Sequence, residues 1–260
     1  MHGVCNLSLV PCRKEPSNES EMVTQLLFGE HFTVSETTES GWAKIKTSYD
    51  AYECWVNEKQ FAAVSHKTFG ELEKENAVLS NEFISFINRK KNNSIFPLLI
   101  GSVLPAYKNG EVKIEKEDFY FEGNVINEHT KTTTKGIITS ALQFLEAPYL
   151  WGGRSVFGID CSGFTQLVFK LNGIKLLRDA YQQATIGETL NFVEESEAGD
   201  LAFFDNEAGK IVHVGIVMNN ETIIHASGKV RIDKFDHQGI FNEEKRKYSH
   251  NLRVIKRVVR

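Results

Sequence analysis

Cys161, His213 and His225 are the residues whose types and spacing could break a covalent bond. Cys161 lies in "GIDCSGF", between an acid and a Ser-Gly pair, at the expected start of a helix over 161–172. Unpaired backbone N–H groups and the helix dipole favour an anion at such a terminus. A thiol there can fall from about 8.5 to roughly 3.5–7.5, which predicts a thiolate near neutral pH. Ser162 and Gly163 are small enough to admit a substrate backbone, and amides at this turn would face a developing oxyanion. His213 and His225 fall on two strands joined by a short turn at "MNNE", nearly symmetric about residue 219. In an antiparallel hairpin they should stand opposite each other, within one residue. A thiolate needs a base for its proton, and the base needs an orienting neighbour. Cys161 as nucleophile, His213 as base and His225 as orienter meet that need. Zinc on the same three residues would require a fourth ligand, and the Cys-to-His spacing fits no compact zinc motif. No metal and no organic cofactor is expected.

The elements that must position these residues can be read from the pattern. "GIITSALQFLEA" carries one apolar helical stripe and should end before Pro148. Phe164, Leu167, Val168 and Leu171 repeat at helical spacing, and Gly173 supplies a stop. The strands "DLAFF", "KIVHVGIVM", "TIIHAS" and "VRID" follow. Helices first and then a strand meander give an α+β domain over 131–260.

The amino-terminal half has a different rhythm. "QLLFGEHFTVSE", "GWAKIKTS" and "AYECWVNEKQF" alternate with period two and are separated by turns, which predicts a small all-β barrel over 1–64. Residues 67–91, rich in Glu and Lys, read as a helical or partly helical connector. From about Ser94 to Gly123 strands return, with a turn at "KNG", as a second, degenerate copy of the barrel within 65–130. The Thr/Lys run at 130–135 marks the boundary to the last domain.

The net charge of −4 gives no reason to expect a nucleic-acid partner. No apolar run approaches the roughly 18 residues that cross a membrane as a helix. The start of the chain lacks the charged and apolar regions of a signal peptide, so a cytoplasmic setting is expected, or a periplasmic or secreted one if a leader has been removed. Cys5, Cys12, Cys54 and Cys161 are then reduced thiols; in an exported protein Cys5 and Cys12 could pair.

The block "APYLWGGRSVFGIDCSGFTQLVFKLNGIKLLRDAYQQ", followed by "AGDLAFF", "HVGIVM" and "IIHAS", resembles the NlpC-type cell-wall cysteine peptidases of papain-like fold. The amino half is similar to the bacterial SH3-like domains that precede this catalytic domain. The layout resembles the murein-peptide-recycling members, which cut the γ-D-glutamyl–diamino acid bond (diaminopimelate or lysine) in peptides with a free amino-terminal L-alanine. The resemblance implies further roles. Tyr149 would help to form the oxyanion hole, and Asp179 in "LRDA" would bind the substrate ammonium in a pocket lined by Ser162. Trp151 in the aromatic loop would touch substrate, and Tyr52 in "AYECW" would be lent by the first small domain. Ala180 stands where some relatives carry serine, which removes one polar contact. Two other readings stand beside this one: a wall-binding module with a vestigial catalytic half, and an amidase or acyltransferase on the same fold.

Overall fold

The structure, a computed structural model, describes residues 1–127 and 133–259. The chain divides into two compact units, residues 1–130 and 131–260. The expected boundary between residues 130 and 131 lies outside the described residues.

In the first unit a seven-stranded antiparallel sheet runs in the order Met22–Leu27, Leu9–Arg13, Glu53–Asn57, Trp42–Thr47, His31–Thr37, His2–Val4, Ala62–Val64. The alternation that predicted these strands is visible in the strand Trp42–Thr47, where Ile45 is buried and Lys46 exposed. Cys5, Cys12 and Cys54 are buried in its core with Val10, Leu26 and Val56. A four-stranded sheet follows, ordered Ser94–Leu99, Ile84–Arg89, Glu117–Phe121, Glu111–Ile114. The turn at "KNG" forms as expected. Asn109 and Gly110 both take positive φ (51° and 87°), the geometry of a two-residue hairpin turn, and Lys108 pairs with Glu111 across it.

The connector is partly helical, over His66–Leu72, and its remainder holds the strands Val78–Ser80 and Ile84–Arg89. Within the latter, Ser85 and Ile87 are buried while Ile84 and Phe86 are exposed, a period of two hidden by the charged residues on either side. The two sheets also do not have wholly separate cores. Val4, Phe28 and Val64 pack in one cluster with Ile87, Leu98, Val112 and Phe119. Val103 donates its N–H to the carbonyl of Phe28 at 2.8 Å. Gly29, at φ 78°, lies so close that a Cβ would fall 2.1 Å from the Val103 carbonyl oxygen.

In the second unit the helices Thr134–Gln143 and Cys161–Leu171 pack together against a large antiparallel sheet. Its order is Glu188–Leu190, Lys247–Arg257, Leu201–Asp205, Ile211–Asn219, Thr222–Ser227, Lys229–Asp236, Gly239–Asn242. The strand Lys247–Arg257 also pairs with Gly239–Asn242, so the sheet closes on itself. The helix Cys161–Leu171 was expected to bury one stripe. All eleven of its residues are buried, because strands, the neighbouring helix, the hairpin at Arg154–Ser155 and the short helix Ala180–Gln183 surround it. Polar side chains along it make bonds inside the protein. Thr165 Oγ1 donates to Gln183 Oε1 at 2.7 Å, and Gln166 Nε2 to the Leu176 carbonyl at 3.1 Å.

Candidate active site

Asp160 fixes the start of the nucleophile helix. As N-cap residue it accepts the Gly163 N–H through Oδ1 (2.6 Å) and the Gly152 N–H through Oδ2 (2.8 Å), which ties the glycine-rich loop to the helix. Gly163 is needed for this junction, since a Cβ would fall 2.4 Å from the Gly153 carbonyl oxygen. What approaches Gly163 is the protein's own loop, and not the substrate backbone expected from its size. The Asp160 carboxylate is also gripped by Arg178, at 2.6 Å and 3.1 Å, and the same guanidinium donates to Ser162 Oγ at 2.9 Å. Arg178 and Asp160 are 1 % and 5 % exposed, a buried ion pair with its hydrogen bonds satisfied.

Cys161 Sγ is therefore held in a crowded setting. Burial, followed by the Asp160 charge, pushes its thiol up to about 12. The backbone amides of Val214 and Ser162 bond the sulfur and pull the other way, as a helix start should, but burial outweighs them. The expectation of a standing thiolate at neutral pH is corrected. The thiol is the favoured form, and a base must take its proton before the sulfur can attack. Half-buried Tyr149 lies close enough to Cys161 and Asp160 to feel their charge, and its phenol is raised first by burial and then by these two groups.

The imidazoles lie on the adjoining strands. His225 pairs across the hairpin with Gly215, and not with His213, because the register shifts between Val217 and Asn219. His213 is thus two residues from the opposed position, on the same face and diagonal to His225. The rings still meet, with His213 Nε2 2.8 Å from His225 Nδ1. Gly215 makes room for this: a Cβ there would fall 2.9 Å from the His225 Cβ. His225 Nε2 lies 2.9 Å from Asp233 Oδ2 on the next strand. Arg231 then pairs with Asp233, its Nη2 donating to Oδ1 at 2.8 Å and its Nε lying 2.7 Å from Oδ2 as an ion pair. Burial, then the neighbouring His225 and His250, hold His213 well below the ordinary histidine value. Burial likewise lowers His225, with Asp233 opposing.

His250, from the closing strand, stacks on His213 with centroids 4.1 Å apart and planes 22° from parallel. The three histidines could between them approach a metal ion. However, Nε2 of His213 and Nδ1 of His225 face each other at hydrogen-bond distance, so a metal would have to displace the proton between them. With the Cys161 sulfur hydrogen-bonded to the backbone of Val214, the residue after His213, the arrangement suits acyl transfer.

The remaining expected residues are more scattered. Asp179 is half-buried at the start of Ala180–Gln183, where its N–H bonds Gln182 Oε1 at 3.0 Å and its carboxylate takes a bond from Tyr181. Trp151 is 57 % exposed in the loop after Tyr149. Tyr52 belongs to the amino-terminal unit and packs against the core of the first sheet. Sequence reasoning missed Arg178, Asp233, Arg231 and His250 as members of the network. Asp233 had a signal. In "VRID" two charged residues share one strand parity, and Arg231 stands opposite His225.

Residues 146–247 match the NlpC/P60 family, and residues 12–61 match the bacterial dipeptidyl-peptidase Sh3 domain. The chain is 32 % identical over 219 residues to a gamma-D-glutamyl-L-lysine dipeptidyl-peptidase of Bacillus subtilis, covering 78 % of this chain and 71 % of that protein. It is 26 % identical over 249 residues to dipeptidyl-peptidase 6 of Lysinibacillus sphaericus, covering 86 % and 88 %. Its fold matches the crystal structure of an NlpC/P60 family protein from Bacillus cereus with TM-score 0.81 over 99 % of both chains, at 20 % identity. A thiol at a helix start and paired imidazoles on an antiparallel sheet define a papain-like cysteine peptidase. The chain belongs to the NlpC/P60 family.

Proposed function

We propose that this peptidase hydrolyses the γ-D-glutamyl–diamino acid bond of murein peptides with a free amino-terminal L-alanine. The observation that carries the mechanism is the placement of the Cys161 sulfur on the amide of Val214, next to His213, whose other nitrogen is already engaged by His225. His213 takes the thiol proton as sulfur attacks the γ-glutamyl carbonyl. The carbonyl oxygen becomes an oxyanion facing the Cys161 N–H at the helix start and the Tyr149 hydroxyl. Collapse breaks the C–N bond, and His213 gives its proton to the leaving amine. Water, deprotonated by His213, then splits the thioester and restores the thiol. His225 orients the base throughout.

Asp179, the neighbour of Arg178 in the chain, is read as the counter-ion of the L-alanine ammonium, with Ser162 and Trp151 lining the approach. The name of the Bacillus subtilis relative supports a lysine at the cleaved bond. Residues 65–127, with a four-stranded sheet of their own, are read as a second SH3-like barrel. The four free thiols fit a reducing, cytoplasmic setting.

The test compares L-Ala-γ-D-Glu-L-Lys peptides with and without an N-acetyl group. Loss of one partner of an ion pair buried under bound substrate costs about 3–5 kcal/mol, so acetylation should lower kcat/KM on the order of 10²–10⁴-fold. Asp179→Ala should do the same, and the two changes together should be less than additive. Efficient cutting of acetylated peptides would mean an open pocket and an enzyme of intact wall stems.

A further inference from the structure

Asp233 and Arg231 are not needed to complete a thiol, a base and an orienter, yet they continue the chain of contacts beyond His225. Asp233 is 7 % exposed and accepts Arg231 Nη2 on Oδ1, with Arg231 Nε 2.7 Å and His225 Nε2 2.9 Å from Oδ2. An ionised carboxylate only accepts hydrogen bonds, so the proton at this contact belongs to His225 Nε2. A neutral imidazole carries one N–H, which leaves Nδ1 of His225 as an acceptor. The hydrogen bond at 2.8 Å must then be donated by His213 Nε2, and the lone pair of His213 is left on Nδ1.

We infer that Asp233, clamped by Arg231, is a positioning residue that sets the tautomers of both histidines and so determines which nitrogen of His213 acts as base. This rests on the reading of His213 as the base and extends it by two links. Burial works against the charge on Asp233, but the bonds from His225 and Arg231 prevail and hold its carboxyl below the usual range. The carboxylate is therefore ionised wherever His225 is neutral. Without it, His225 is free to protonate at Nδ1 and donate back to His213. That would force the His213 proton onto Nδ1, where it blocks the approach to sulfur.

The experiment is long-range 1H–15N NMR of the full chain labelled with 15N-histidine, with His213→Gln and His225→Gln assigning the two rings. The unsubstituted protein should show both rings protonated at Nε2 and bare at Nδ1. A His225 ring protonated at Nδ1 would overturn the inference without any variant at Asp233. Asp233→Ala should mix the tautomers and lower kcat by about 10–10²-fold, less than the roughly 10²–10³-fold loss expected when His225, the orienter touching the base, is removed. KM should stay within about twofold, because ring protons and not the peptide pocket have changed. A purely structural role would lower the melting temperature of Asp233→Ala while leaving ring protons and kcat as they were, which would also overturn the inference. Full activity in His213→Gln would be a different result: it would remove the base, and with it the functional reading itself.

Discussion

His213 Nε2 lies 2.8 Å from His225 Nδ1, although the backbone opposite His225 belongs to Gly215. The contact is diagonal across the hairpin, and it uses one nitrogen of each ring. His213 keeps one nitrogen for the chemistry, and His225 spends its other on Asp233.

The two imidazoles should therefore fail differently. His213→Ala removes the proton acceptor and should leave turnover near background. His225→Ala leaves the acceptor in place but unoriented and should lower kcat by about 10²–10³-fold. Steady-state kinetics on a free murein tripeptide checks this. Equal losses, or a milder loss at His213, would reverse the assignment. EDTA should change neither rate; abolition of activity by EDTA with recovery on added zinc would replace the thiol mechanism by a metal one.

Arg178 should matter to folding more than its distance from the chemistry suggests. Its guanidinium holds Asp160 and Ser162 while 1 % exposed. Arg178→Ala would leave Asp160 buried and unpaired, at a cost of about 3–5 kcal/mol. Urea denaturation should show that loss, and activity should fall with it because Asp160 caps the nucleophile helix. A variant of unchanged stability would show that solvent reaches Asp160.

Stability should fall in mild acid. His213, His225 and His250 are all held below the ordinary value of 6.5, burial being the leading cause for each, and His250 is brought to about 4. Between those values the unfolded chain binds more protons than the folded one, so stability rises with pH. The contribution is complete above 6.5 and is lost as pH falls toward the folded values. Melting temperature should drop from pH 7 to pH 5, and His250→Phe, which keeps a ring on His213, should reduce the slope. A flat profile would contradict the burial of these rings.

Much of the site was legible because its key residues announce themselves locally. Cys161 stands at a helix start marked by Asp160, and the two histidines stand on apolar strands around an obvious turn. Their relative register was not legible, since a bulge at Met218 moves the hairpin centre by one residue and no composition rule marks it. The charge state of Cys161 was misread because the helix terminus is local information while burial depends on everything packed around it. His250 was out of reach for a similar reason. It joins His213 only through closure of the sheet by Lys247–Arg257, a mostly exposed strand with little apolar alternation. In the first unit, charged neighbours disguised the strand Ile84–Arg89 as part of a helix.

Alkylation should distinguish the four cysteines. Cys5, Cys12 and Cys54 are 0 %, 0 % and 2 % exposed in an apolar core, and Cys161 is 5 % exposed beside its base. Iodoacetamide should label Cys161 first, and its rate should climb with pH because burial holds the thiol protonated. A rate already at its plateau at pH 5 would indicate a standing thiolate. Equal labelling of all four would indicate that the fold had opened.

The central claim is that Cys161 cuts one bond, between γ-D-glutamate and the diamino acid. Mass spectrometry of the products from L-Ala-γ-D-Glu-L-Lys-D-Ala, with intact protein and with Cys161→Ala, tests it directly. The account predicts L-Ala-γ-D-Glu and L-Lys-D-Ala from the intact protein, and uncleaved peptide from a folded Cys161→Ala. Cleavage at another bond, or products from the alanine variant, would contradict it.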